Sequence, residues 1–219
     1  MTSTQLTTSI VLIRHGETAW NAERRLQGHI DIALNQEGLR QAGALAAALA
    51  GEHFDAVIAS DLQRAHQTAQ AIAAPRGAAI LNDPGLRERC FGGFEGLLYA
   101  DIEQRFPREF AAWQARDVDS VMPPGARPGE SFRQFYDRCT GAIAAHAMQN
   151  PGARLALVAH GGVLECAYRA ALGLSLTTAR DFKVLNASIN RFAFADGKLR
   201  LLSWGEVGHL ERGVLDELN

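Results

Sequence analysis

Short runs of apolar, β-forming residues alternate along the chain with longer stretches whose apolar positions recur at helical spacing. The runs are IVLI at 10–13, AVIAS at 56–60, AAIL at 78–81 and RLALVAH at 154–160. Strands separated by helix-length segments predict βαβ units, in which each crossover helix returns the chain parallel and covers the sheet. Leu39, Ala42, Leu45, Ala46 and Leu49 predict a helix over about Glu37 to Ala50, with Gly51 at its C-cap. A second helix is predicted from Asp61 to Ala74, with Ser60 as N-cap and Pro75 as stop signal. Ser131-Phe-Arg-Gln134 has the form of a capping box opening a helix that runs to about Gln149. Near the end, RFAFADGKLRLLSW holds Asp-Gly between two alternating runs, a β-hairpin signal that adds an antiparallel strand at a sheet edge. The expected fold is α/β, a three-layer αβα sandwich on a mainly parallel sheet with an antiparallel edge strand.

From Phe91 to Gly129 the rhythm breaks. Phe91, Phe94, Tyr99, Phe106, Phe110 and Trp113 spread over a helical stretch, and a loop rich in proline and glycine follows. This predicts a helical insertion, a lid over about 91–130, in a single domain spanning 1–219. Composition narrows the functional classes. The net charge is −2 with no basic block, so no nucleic-acid footprint is present and any bound anion must meet a few placed cations. Cys90, Cys139 and Cys166 are far apart and fit neither a disulfide framework nor a zinc knuckle. The N-terminus has no basic n-region and no stretch has the ~18 apolar residues of a membrane helix. A cytoplasmic protein with no membrane partner is expected.

In an open α/β sheet, ligands bind beyond the carboxyl ends of the strands. Arg14-His15-Gly16 ends one strand pattern and His160-Gly161-Gly162 another, so two His-Gly pairs could face each other across one crevice. Arg64 falls in the first turn of the helix after AVIAS and Glu88 follows the AAIL run. Guanidiniums and imidazoles converging on one spot favour a tetrahedral oxyanion, because arginine forks match phosphate geometry. A metal is the competing reading, but adjacent arginines would repel it and neither HExxH nor a carboxylate cluster is present. His29, His53, His66, His146 and His209 are expected to be structural, the usual place of a lone histidine.

These motifs resemble the histidine phosphatase superfamily, the phosphoglycerate mutase-like proteins, over almost the whole chain. The matching residues are Leu12-Ile-Arg14-His15-Gly16-Glu17-Thr18, Trp20-Asn21, Arg25-Leu-Gln27-Gly28, Ser60-Asp61-Leu62-Gln63-Arg64-Ala65, Leu86-Arg87-Glu88 with Gly92 and Glu95-Gly96, and His160-Gly161. The resemblance implies that His15 attacks phosphorus and becomes a phosphohistidine, while Arg14, Arg64 and His160 hold the equatorial oxygens. It implies that Glu88 protonates the leaving oxygen and then deprotonates water, its proton held by the like charge of the bound phosphate. Asn21, Gln27, Gly28 and the backbone near Gly161 would complete the phosphate pocket. No metal or other cofactor is implied.

Phosphatases and mutases of this kind share the phosphoenzyme, so only the acceptor pocket separates them. Where the mutase pattern has tyrosine and lysine, this chain has Phe91 and Tyr99, and Gly162 replaces an asparagine. From Phe91 to Glu130 there are four arginines, no lysine and seven carboxylates. An apolar, slightly acidic lid suits a small organic phosphate better than a bisphosphate, so hydrolysis is the expected reaction. A phosphoglycerate mutase primed by 2,3-bisphosphoglycerate is the alternative, and a non-catalytic binding domain is a third reading. Asn186-Ala-Ser188 has the form of a glycosylation sequon but is expected to be a turn. The aromatic residues of the insertion suit a substrate pocket, lid packing or a homodimer contact.

Overall fold

The computed structural model describes residues 6–210 and 214–216. In chain order the elements are β1 (Thr8–Arg14), α1 (Ala19–Ala22), α2 (Gln36–Ala48), β2 (Ala56–Ala59), α3 (Gln63–Ala73), β3 (Ile80–Asn82), α4 (Tyr99–Arg105), α5 (Pro107–Gln114), α6 (Phe132–Gln149), β4 (Arg154–Ala159), α7 (Gly161–Leu172), β5 (Ile189–Ala195) and β6 (Lys198–Glu206). Six strands form one sheet in the order β3-β2-β4-β1-β5-β6. β3, β2, β4 and β1 run parallel, and β5 pairs antiparallel with both β1 and β6. The hairpin therefore forms the sheet edge as expected, with its reversed strand one place in. Asp196 and Gly197 both have positive φ, 54° and 72°, the geometry of the tight primed turn that Asp-Gly favours.

β1 and β4 are apolar on both faces because both faces are covered. Ile10, Leu12, Leu155 and Leu157 pack against Phe135, Cys139 and Ile143 of α6 and Val163 and Leu164 of α7. On the opposite face, Val11, Ile13, Ala156 and Val158 meet Leu45 of α2 and Ala65, Ala69 and Ile72 of α3. Burial of such side chains stabilises the layers by about 1.5–3 kcal/mol each. The segment after β3 has a small core of its own, in which Leu26, Phe94, Ile102 and Met122 gather Phe91, Tyr99, Phe106, Phe110 and Trp113.

Two boundary signals acted differently from their sequence reading. Gly51 does not cap α2, which ends at Ala48 on Leu49 in right-handed conformation. Ser60 does not cap α3 either: the N-cap is Leu62, without a side-chain bond, and the Ser60 hydroxyl turns toward His160. The capping box of Ser131 and Gln134 is present at the start of α6.

Candidate active site

β1 and β4 are neighbours in parallel register, with Arg14 opposite Ala159, so the residues that follow them emerge side by side. The His15 N–H donates to the Ala159 carbonyl at 3.0 Å, and the His15 and His160 rings meet edge-on with centroids 5.1 Å apart. Gly16 lets this turn lie against α2, since a Cβ there would sit 2.5 Å from the Gly38 carbonyl oxygen. On the other side, the His15 carbonyl accepts from the Asn186 side chain at 3.0 Å and the Ala187 N–H at 3.2 Å. Ala187 holds a left-handed φ of 53°, a conformation that costs a non-glycine residue about 1 kcal/mol and that turns its N–H onto His15. Asn186 is fully buried, so the sequon is a turn that positions the histidine.

The hydrogen bonds assign both tautomers. His15 Nδ1 lies 2.7 Å from the Gly16 carbonyl, which can only accept, so Nδ1 carries the proton and Nε2 keeps a bare lone pair. Burial, then Arg64, then Arg14 hold the His15 pKa well below the ordinary histidine value, which keeps the ring neutral at neutral pH. His160 has the opposite tautomer. Its Nδ1 accepts from Arg64 Nε at 3.2 Å, so Nε2–H donates to the Ser60 hydroxyl at 2.8 Å. Burial, Arg64 and His15 depress its pKa in turn.

Arg64, in the first turn of α3, is oriented by backbone: its Nη2 donates to the Gly28 carbonyl at 2.8 Å and Nη1 to that of Ile30 at 3.1 Å. Arg14 is also fully buried and donates to the Val184 carbonyl at 2.6 Å. Glu88 accepts from the Arg89 N–H at 2.8 Å and, at the N-terminus of α7, from the Gly162 N–H at 3.0 Å. A Cβ at 162 would overlap the Glu88 carboxylate, so glycine is what lets that carboxyl reach the helix end. The loop bearing Glu88 is clamped from behind. Arg138 donates to the carbonyls of Gly85, Arg87 and Glu88 while pairing with Glu130, and His29 Nε2–H donates to the Glu88 carbonyl at 2.7 Å.

A small cavity of about 30 Å³ collects His15, Asn21, Gln27, Gly28, Arg64 and Glu88. The Asn21 carbonyl oxygen accepts from Thr18, leaving its Nδ2 without a protein partner among the described residues, and Gln27 has a buried amide oxygen in the same condition. Arg14 and His160 do not line this cavity as it stands; Arg14 precedes His15 in the chain, and the His160 ring meets that of His15. Gly161 opens α7 and is buried, and Gly162 is the glycine of that turn that faces solvent-accessible space. The cavity joins a larger one of about 240 Å³ through Glu88, Phe91 and Tyr99. Among the described residues no group of three or more His, Cys, Asp or Glu side chains is arranged to hold a metal ion.

Residues 10–207 match the Histidine phosphatase superfamily (branch 1). The chain belongs to that superfamily. It is a phosphatase-type enzyme of that superfamily, with a mixed α/β sheet that its structural neighbours share. A phosphoglycerate mutase-like protein 4 of Arabidopsis thaliana is 42% identical over 206 residues, covering 92% of this chain and 86% of the relative. A metal-independent phosphoserine phosphatase from the same plant is 40% identical, covering 93% and 83%. Among solved structures, the phosphoserine phosphatase of Entamoeba histolytica in complex with 3-phosphoglyceric acid superposes with a TM-score of 0.79 at 28% identity, covering 92% of this chain and 98% of that one.

Within this histidine phosphatase site the sequence reading missed several members. The sequence casts Ser60 as a helix cap, and its role as His160's acceptor carries no sequence signature. Arg89, Arg116 and Arg180 line the larger cavity, Arg89 and Arg180 from outside residues 91–130, so the acidic count of that segment does not describe the charge of the pocket. Asp216, close to the chain end, lines the small cavity with no signal of its own.

Proposed function

We propose that this phosphatase hydrolyses a small organic phosphomonoester, without a metal, through a phosphohistidine on Nε2 of His15. The observation that carries the reading is the bare Nε2 of a buried, neutral His15 facing a cavity lined by Arg64 and Glu88. Attack by Nε2 forms the N–P bond as the ester P–O bond breaks, and Glu88, poised between the two cavities, gives its proton to the departing alkoxide. Water then attacks phosphorus, Glu88 takes its proton, and inorganic phosphate leaves with the histidine restored. Arg14, Arg64 and His160 supply the charge and donors for the equatorial oxygens. Arg64 already lines the cavity, Arg14 precedes the nucleophile in the chain, and the His160 ring lies edge-on to that of His15. Asn21, Gln27, Gly28 and the backbone at Gly161 complete the phosphate site, and the segment 91–130 serves as its lid within one domain. A cytoplasmic location fits the absence, among the described residues, of a helix long and apolar enough to cross a membrane.

The purified protein is expected to hydrolyse p-nitrophenyl phosphate in EDTA, to yield an acid-labile phosphoryl adduct on the His15 peptide, and to lose turnover in His15→Ala. Full activity in that variant sinks the nucleophile assignment. A second reading, transfer between phosphoglycerate positions, has the mutase-like relative and the pocket arginines in its favour. Rapid formation of 2-phosphoglycerate from 3-phosphoglycerate, dependent on a bisphosphoglycerate primer, would move the protein to that branch.

A further inference from the structure

The bare Nε2 of His15 depends on where its other ring nitrogen is held. Nδ1–H donates to the Gly16 carbonyl at 2.7 Å. That carbonyl belongs to the Gly16–Glu17 peptide, a planar trans unit whose C=O and N–H point in opposite directions. The N–H of the same unit, that of Glu17, donates to Gln41 Oε1 at 2.9 Å. Gln41 is fully buried on α2. Its amide orientation follows from its second bond: Nε2 donates to Glu37 Oε1 at 3.3 Å, and that carboxylate can only accept. Arg40 clamps Glu37 in turn, through Nε at 2.9 Å and Nη2 at 2.6 Å.

The preceding peptide is anchored independently. Gly16 N–H donates to Thr68 Oγ1 at 3.1 Å, the Thr68 hydroxyl donates to the Arg64 carbonyl at 2.8 Å, and the His15 carbonyl accepts from Asn186 and Ala187. Those bonds fix the peptide before Gly16; the one after it rests on Gln41. α2 approaches closely enough to supply that support because Gly38 has no side chain, a Cβ there being 2.0 Å from the Glu17 carbonyl oxygen. Gln41 lines neither of the two cavities, so its effect on the reaction must pass through the backbone. Hydrogen bonds in series polarise one another. A peptide whose N–H is donated to Gln41 presents a stronger acceptor at its carbonyl, which draws on the imidazole N–H and enriches the lone pair at Nε2.

We infer that Gln41 is a positioning residue for the nucleophile, which through the Gly16–Glu17 peptide holds His15 in its Nδ1–H tautomer and aims Nε2 at the phosphate cavity. The inference rests on the phosphohistidine reading above and adds the device that selects the attacking nitrogen. The supported carbonyl does for this imidazole what a carboxylate does in a serine-hydrolase triad, without adding negative charge where a phosphate must bind. Were the peptide to flip, its N–H would face Nδ1, which would then accept, and the ring proton would move to Nε2 and block attack.

Gln41→Met keeps the length of the side chain and removes the acceptor. In that variant kcat for p-nitrophenyl phosphate should fall roughly 10- to 100-fold, the span of one buried hydrogen bond, while KM changes by less than about threefold. Gln41→Asn keeps the amide but withdraws it by one methylene; it should behave alike, and it decides the matter should Gln41→Met fail to fold. Nitrogen NMR of the His15 ring separates positioning from a merely structural role. The wild type should show Nδ1 protonated and Nε2 bare, and the folded variant should show a population protonated at Nε2. A folded Gln41 variant with wild-type kcat, or with its ring tautomer undisturbed, overturns the inference, as does a wild-type ring protonated at Nε2. Activity lost in His15→Ala but retained in Gln41→Met sinks this inference alone. Activity retained in His15→Ala sinks the phosphohistidine reading, and the ring spectra still decide whether Gln41 sets the tautomer.

Discussion

His15 and His160 show how one packing arrangement assigns opposite tasks to two identical rings. Each is buried and faces arginine, so each is held neutral, and the only difference is which nitrogen meets a donor and which an acceptor. The pH behaviour follows. In the unfolded chain both rings titrate near their ordinary value of about 6.5, whereas the folded protein refuses those protons until far lower pH. Their contribution to stability is therefore complete above about pH 6.5 and is lost as pH falls below it, because the unfolded state then binds protons that the native state does not. Thermal unfolding should shift to lower temperature between about pH 7 and 5, with a shallower dependence in His15→Asn. The acid limb of kcat/KM, corrected for the substrate's own ionisation, should lie well below 6.5. A limb at 6.5 would show that His15 titrates as an exposed histidine. Arg14, His15, Arg64, Glu88 and His160 were all legible in the sequence as polar residues interrupting or following apolar patterns. Ser60 and Arg89 were not, since only folding decides whether a hydroxyl caps a helix or which cavity a cation lines.

The helices and strands were read more readily than their ends. Periodicity placed α2, α3 and α6 correctly because it reports the buried face, and both faces of this sheet are covered. Ends depend on local hydrogen bonds that compete, and at α3 the imidazole won the serine. The loop carrying Glu88 is an element of this kind, without regular structure and defined by what holds its carbonyls. Arg138 reaches it from α6 with bonds to three of them at 3.0–3.1 Å. Arg138→Met should cost about 1–3 kcal/mol of stability, the order expected when partly buried carbonyls and a carboxylate lose their donor. It should also lower kcat more than it raises KM, since in the proposed mechanism the loop delivers the proton donor while phosphate binding rests on Arg64. Unchanged kcat with intact folding would remove Arg138 as a positioning residue.

At the scale of the molecule, the segment 91–130 illustrates why composition misleads about a pocket. Residues 91–130 are acidic on count, yet the cavity they help to line draws Arg89 from the preceding loop and Arg180 from beyond α7. Only the three-dimensional arrangement assigns charges to a common space. The three cysteines follow the opposite course, since their spacing in the sequence already fitted neither a disulfide framework nor a zinc knuckle. All are buried; burial pushes Cys90 up to about 11 and Cys166 well above its ordinary value. Native protein should accordingly resist iodoacetamide at neutral pH with its phosphatase activity retained, and rapid inactivation would reveal an opening of α6 from α7. The contact between Gly162 and Glu88 bears on how such a protein can change over time. Any side chain at 162 displaces the carboxyl, and any displaced carboxyl leaves the helix end bare. The two positions therefore form a ratchet: neither can drift alone, and a lineage that places asparagine at 162 must already have found another seat for its acid.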